Sequence, residues 1–249
     1  MIDLQGRVVL VTGAGGAIGS ATARTLARAG ARVLAHDVRA ELVERIVDEL
    51  GAPAHAFVSD LSDPVAVGRL WEDALAVHGR IDVLVNNAGI FPAAELDAPL
   101  DDWVRVWNRS LGVNLVAPAI LCKAAVTTFA GQDGGGIIVN MASRAAFRGE
   151  DPAYWHYAAA KAGLVAMTRS IARNNGRQGV TAFAIAPGYV DTAFNMPVEG
   201  TVAAAARDTG LGEVAQPQDV ANVVAFLASG LARHSTGTTI DVNGASYVR

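Results

Sequence analysis

The stretch Arg7–Ala29, RVVLVTGAGGAIGSATARTLARA, decides how this chain folds. Residues 7 to 12 are a short apolar, β-branched run, residues 13 to 19 are rich in glycine, and an alanine-rich helical pattern follows to about Ala29. A strand, a glycine turn and a helix in that order put backbone N–H groups and a helix N-terminus where a pyrophosphate can sit. The spacing is not G-x-G-x-x-G, because Ile18 stands three residues after Gly15; it is T-G-x-x-x-[A/G]-x-G from Thr12 to Gly19, with Ala17 in the alternative slot. A glycine turn of this kind also serves purely structural ends, so the rest of the chain has to carry the reading.

Working outward, a second strand over Arg32–His36 ends in Asp37, eighteen residues after Gly19. A carboxylate there can accept hydrogen bonds from both adenosine ribose hydroxyls and repels a 2′-phosphate, which favours NAD over NADP. Arg39 is the counter-argument, since it lies two residues on and can reach a phosphate.

The 249 residues are enough for one large α/β domain, and no Pro/Ser-rich or charged linker divides them. Hydrophobic residues make up 51%, which suits a parallel sheet covered on both faces. The sequence shows no apolar run of membrane-spanning length and enters a strand at once, so no signal peptide and a cytoplasmic protein are expected. The net charge of −4, with dispersed basic residues, argues against nucleic acid as a partner. The five histidines lack ligand spacing, so no metal site is expected. Cys122, the single cysteine, reads as a packed thiol.

A second constellation lies at Tyr157 and Lys161, spaced Y-x-x-x-K on a helix running to about Asn174. Residues four apart share a helix face, so phenol and ammonium point the same way. A cation about 4 Å away at an effective dielectric of about 20 is worth roughly 4 kcal/mol, enough to bring a phenol near neutrality. Tyr157 can then work as an acid/base. Tyr154 has Ala158 four residues on and no such support. Fourteen residues before Tyr157, Ser143 closes an apolar strand over Ile137–Met141.

Two more strands, around His55–Val58 and Ile81–Val85, lead into Asp60-Leu61 and Asn86-Asn87-Ala88-Gly89, and a sixth over Gly179–Ile185 ends in Pro187-Gly188-Tyr189-Val190-Asp191-Thr192. With these motifs in this order, the whole chain resembles the short-chain dehydrogenase/reductase family in its single-domain form of about 250 residues. The resemblance implies a doubly wound, Rossmann-type α/β fold with seven mostly parallel strands. Residues 1 to 90 would bind the dinucleotide, and residues 91 to 249 would carry catalysis, with a substrate lid at about 193 to 215. It further implies a catalytic tetrad of Asn114, Ser143, Tyr157 and Lys161, with Asn114 opening a long helix over Leu100–Phe129 and seating a proton-relay water. Gly13, Gly16, Ile18 and Gly19 would hold the pyrophosphate and Asp37 the ribose, while Asp60 and Leu61 flank adenine. Asn87, Ala88 and Gly89 would lie along the cofactor, with Tyr157, Lys161, Pro187, Gly188, Val190 and Thr192 at its nicotinamide end. Asp60 can equally cap the helix over Pro64–Val77. NADP users in the family commonly carry a basic residue in the glycine turn, and Gly16 stands there.

The implied activity is NAD-dependent hydride transfer between a secondary alcohol or ketone and nicotinamide, by a homotetramer or homodimer. Arg148, Tyr154, Trp155 and Phe194 are candidates for the substrate pocket. Arg144 and Arg148 can bind an acidic group or pair with Glu150 and Asp151. A 3-oxoacyl thioester reductase is the alternative, with Asp37 against its usual NADPH. A non-catalytic dinucleotide-binding regulator would be expected to lack part of the tetrad, and all four residues are present.

Overall fold

The computed structural model describes residues 2–192 and 201–249, and the side chain of Thr201 is not included. The expected elements fall in order: β1 (Val8–Thr12), α1 (Ala17–Arg28), β2 (Arg32–Asp37), α2 (Ala40–Leu50), β3 (His55–Val58), α3 (Pro64–His78) and β4 (Val83–Asn86). There follow α4 (Leu100–Leu111), a π-helical turn at Gly112–Val116, α5 (Ala117–Gly131), β5 (Gly136–Met141), the short α6 (Ala145–Arg148) and α7 (Trp155–Asn175). The chain continues through β6 (Val180–Pro187), α8 (Thr201–Arg207), α9 (Pro217–Ala228) and β7 (Thr239–Val242). The strands form one sheet in the order β3-β2-β1-β4-β5-β6-β7, and every pairing is parallel. The order reverses between β1 and β4, and a crevice opens there beyond the carboxyl ends of the strands.

Strand alternation divides the core. Val9 and Val11 face the layer containing Leu26, Val220 and Val224, while Val8 and Leu10 face Leu70, Trp71, Leu121 and Phe129. Each fully buried Leu or Phe contributes about 2–3 kcal/mol, so these two layers fix the sheet that carries the site.

Some expectations need correction. Helix 100–129 is two helices, because the Ala117 N–H bonds to Gly112 O across a widened turn, and Asn114 lies in that turn. Taken as one run, Leu100–Gly131 is long and apolar enough to cross a membrane, contrary to the expectation. Its apolarity has another use: Val113, Ala117, Leu121, Cys122, Ala125 and Phe129 sit in the core against the sheet. Asp60 is not the cap of α3. Asp63 is, its Oδ1 accepting from Val65 N at 2.9 Å, while Asp60 Oδ1 accepts from Ser62 N at 2.8 Å. The Cys122 thiol is buried and pushed up to about 12 by that burial, as a packed thiol should be.

Candidate active site

At the carboxyl end of β1 the backbone closes on itself. Gly13 has a φ of +66°, and a Cβ there would stand 2.8 Å from Ala88 Cα. A Cβ at Gly19 would run into Gly13 O and Asn87 Nδ2, and one at Gly15 would lie 2.6 Å from Leu42 Cβ. Only glycine fits these positions. Asn87 Nδ2 donates to Thr12 O (2.9 Å) and Gly13 O (3.2 Å), and Thr12 Oγ1 accepts from the N–H groups of Asn87 and Ala88. Helix α1 starts at Gly16 with no side chain capping it, so its first N–H groups open onto the crevice beside Ile18. Asp37 is 5% exposed; its Oδ2 accepts from Gly15 N at 3.0 Å and its Oδ1 from Arg39 N at 3.1 Å. The Arg39 Nε is 3.5 Å from Oδ1, so the arginine is engaged with the carboxylate. A glycine cradle, an uncapped helix end and a fixed carboxylate fit a dinucleotide, phosphates on the cradle and ribose at Asp37. At the other end of the crevice, Gly188 lets β6 pass Asn243, whose Cβ would be 2.7 Å from an added Cβ. Val190 bridges to Ala215, and both Val190 and Thr192 are buried. Pro187 closes β6, Leu61 is buried and Asp60 is exposed.

The four tetrad positions converge beside this cradle. Ser143 follows β5; its Oγ accepts from Ala145 N at 3.1 Å, and the serine is also hydrogen-bonded to the Tyr157 hydroxyl. Lys161 lies one turn below Tyr157, 3% exposed, with Nζ donating to Met141 O at 2.7 Å. A Cβ on Gly89 would lie 3.0 Å from Asn114 Oδ1 and 3.7 Å from Lys161 Nζ, which places all three together. Asn114 is fully buried: Oδ1 accepts from Ile90 N (3.0 Å), and Nδ2 donates to Ile90 O (2.9 Å) and Ser110 Oγ (3.1 Å). These bonds brace the loop after Gly89.

The electrostatics differ from the expected phenolate. Burial pushes the Tyr157 hydroxyl up to about 12, against the opposing bond from Ser143, and brings Lys161 down to about 8. Nζ stands 5.5 Å from the Tyr157 ring centroid and is aimed at a carbonyl. Desolvation therefore outweighs the cation: the same burial raises the phenol and lowers the ammonium, which at about 8 still carries most of its charge at neutral pH.

Around the mouth, Phe91 stacks on Tyr154 (3.9 Å, 5° between planes) and stands edge-on to Tyr157 (4.7 Å). Trp155 is 48% exposed and lies about 200° around the helix from Tyr157. Among the described residues neither Arg144 nor Arg148 makes a close ion pair with Glu150 or Asp151, although the charges of both arginines act on the Glu150 carboxyl. Arg144 is 8% exposed and bonds Ser246 Oγ (2.7 Å), and both arginines share Asp208 Oδ2 at 3.3 and 3.4 Å. The segment after α8 turns Asp208 towards α6, and no spacing in the sequence announces that. Phe194 lies outside the described residues. Sequence reasoning also missed Thr12, Phe91, Ser110 and His156; the T of the turn motif was the available signal for Thr12.

The chain is similar to known proteins in sequence and in fold. A family model described as "Enoyl-(Acyl carrier protein) reductase" matches residues 13–245. The cis-4-hydroxycyclohexanecarboxylate dehydrogenase of Sinomonas cyclohexanicum is 39% identical over 96% of this chain and 95% of its own. The 3-oxoacyl-[acyl-carrier-protein] reductase of Escherichia coli K12 is 34% identical over 99% and 100%. Among solved structures, a putative NAD(P)-dependent gluconate 5-dehydrogenase from Beutenbergia cavernae, with NADP bound at low occupancy, superposes with a TM-score of 0.88 at 36% identity, covering 98% of each chain. This chain belongs to the short-chain dehydrogenase/reductase family. It is an oxidoreductase acting on CH–OH groups.

Proposed function

We propose that the chain is an NAD-preferring dehydrogenase/reductase of a secondary alcohol/ketone pair, with Tyr157 as acid/base. The observation that carries this reading is the convergence of Tyr157, Ser143 and Lys161 at the carboxyl edge of the sheet, beside the cradle of Gly13, Gly15 and Gly19. A bound nicotinamide dinucleotide would supply the hydride acceptor or donor. The chain's own residues move the proton. With its hydroxyl held near 12, Tyr157 is protonated at neutral pH and is set to donate to a carbonyl oxygen, with Ser143 as the second donor to that oxygen. In the alcohol-oxidising direction the Tyr157 phenolate takes the proton of the substrate hydroxyl, and the charge on Lys161 favours that deprotonated form of the tyrosine. Lys161 Nζ would also hold the nicotinamide ribose hydroxyls. Gly16, Ile18 and Gly19 would take the pyrophosphate, and Asn87, Ala88, Pro187, Gly188, Val190 and Thr192 would flank the nicotinamide. Asp37, already fixed by Gly15 N and facing Arg39, supports NAD over NADP.

The pocket would be apolar at Phe91 and Tyr154, with Arg148 at its edge for a substrate that carries a carboxylate, as the Sinomonas relative's substrate name does. The Escherichia relative supports a 3-oxoacyl thioester as the second reading. Exposed Leu100, Val104 and Val116 along α4, the π turn and α5 support a homotetramer or homodimer, which light scattering would size.

The test is absorbance at 340 nm with NAD and then NADP, against cyclohexanol, cis-4-hydroxycyclohexanecarboxylate, gluconate and 3-hydroxybutyryl-CoA. Tyr157→Phe should lower turnover about a thousandfold and leave NAD affinity unchanged. Retained turnover in that variant would overturn the mechanism.

A further inference from the structure

His156, the residue before the acid/base tyrosine, is 0% exposed, and both of its ring nitrogens are engaged. Nε2 lies 3.0 Å from Pro92 O, and Nδ1 lies 2.7 Å from Ser110 Oγ. A carbonyl only accepts, so Nε2 carries the hydrogen. Burial holds this imidazole below its ordinary pKa, so Nδ1 is the acceptor and Ser110 Oγ–H the donor. Ser110 Oγ accepts in turn from Asn114 Nδ2 at 3.1 Å. The bonds therefore run in one direction, from Asn114 to Ser110 to His156 to Pro92 O.

Both ends of this chain of bonds attach to the same segment. Asn114 holds Ile90 through its N–H and its C=O, and His156 holds Pro92. Between them lies Phe91, whose ring contacts Tyr154 face to face and Tyr157 edge-on. The widened turn at Gly112–Val116 sets Asn114 where it can reach both Ile90 and Ser110.

We propose that Ser110 and His156 are positioning residues for the hydride-transfer reaction: together with Asn114 they clamp residues 90 to 92 at both ends, and the clamped Phe91 fixes the ring of Tyr157. This rests on Tyr157 being the acid/base. A phenol allowed to tilt loses alignment with the substrate oxygen, and small misplacements of a reacting group cost rate steeply. A purely structural network would instead cost folding stability and leave turnover alone.

The experiment compares Ser110→Ala, Ser110→Thr, His156→Leu and Phe91→Leu on whichever of the four panel compounds turns over fastest, each variant assayed well below its own Tm. Ser110→Ala and His156→Leu should lower kcat about tenfold, with the Kd for NAD within about twofold of the parent. Ser110→Thr keeps the hydroxyl and should return kcat to within about twofold, and Phe91→Leu should reproduce the kcat loss. Should His156→Leu fail to fold, the Ser110→Ala and Ser110→Thr pair decides. Unchanged kcat in Ser110→Ala, or a loss confined to KM or to NAD affinity, overturns the clamp. Activity surviving in Tyr157→Phe would instead strike the acid/base assignment, so the two failures are told apart.

Discussion

At the carboxyl end of β1, Gly13, Gly15 and Gly19 leave no room for a Cβ, and the site is made of backbone. At the carboxyl end of β5, Ser143, Tyr157, Lys161 and Asn114 make a site of side chains, each held by a partner from another element. The difference is one of tolerance. A backbone cradle fails by steric intrusion, which nothing nearby can absorb. A buried side-chain site fails by desolvation and misalignment, which depend on pH and on second partners. The two ends should therefore respond to substitution in different ways.

The sharpest test of the backbone end is Gly19→Ala. The added methyl would meet Gly13 O, a backbone atom that moves only if the turn moves. Affinity for NAD should fall at least a hundredfold, and stability by about 3 kcal/mol, the cost of overpacking a rigid site. Calorimetric titration with NAD reads the first and urea unfolding the second. Binding within a few-fold of the parent would mean that the cradle is softer than its geometry implies.

At the side-chain end, Lys161→Met should abolish turnover and still stabilise the fold. The lysine's folded pKa of about 8 lies below its ordinary 10.5, so the native state disfavours the charge that the unfolded chain keeps. The penalty is fully present below pH 8 and disappears as pH rises to 10.5. Tyr157 has the opposite sign: its folded value of about 12 exceeds 10, so stability is lost as pH rises through that window. Allowing for the lost bond to Met141 O, the variant should gain roughly 1–2 kcal/mol at pH 7. Its Tm should also lose the parent's rise between pH 8 and 10. A parallel Tm–pH curve would show that Lys161 is not desolvated.

The same contrast explains what the sequence disclosed. The glycine turn, Asp37 and the strands themselves were legible because backbone geometry restricts residue identity locally: only glycine fits at Gly13 and Gly19, and a strand buried on both faces reads as a run such as VVLVT. The tetrad positions were legible through the family's motifs. Their partners were not. Ser110 and His156 are 46 residues apart, and Arg144 and Asp208 are 64 apart, so each pair is made by topology rather than by spacing. Local reasoning gave Arg144 and Arg148 to the nearby Glu150 and Asp151, and tertiary packing gave them to Asp208. The tyrosine's pKa was misjudged for the same reason: the cation was visible in the sequence, and the burial that outweighs it was not.

Asp37 stands between the two kinds of site, a side chain fastened to the backbone cradle. Asp37→Ala removes the carboxylate that faces an adenosine ribose and releases Arg39, whose Nε is now 3.5 Å from it. The NAD/NADP ratio of kcat/KM should shift at least about tenfold towards NADP, roughly 1.4 kcal/mol. An unchanged ratio would remove the carboxylate from cofactor choice.

The smallest effect belongs at the mouth. Asp208→Asn removes the charge shared by Arg144 and Arg148, a half-exposed pair of bridges whose loss should change stability by no more than about 1 kcal/mol. Arg144 keeps Ser246 Oγ at 2.7 Å and is closely buried, so it stays in place; Arg148, the more exposed of the two, loses its close ion pair and keeps only the longer-range charge of Glu150. With Arg148 at the edge of the proposed pocket, the variant should lower KM for cis-4-hydroxycyclohexanecarboxylate by about two- to fivefold and leave KM for cyclohexanol unchanged. Equal changes for both alcohols would place Arg148 outside the substrate's reach and assign Asp208 to holding α8 against α6.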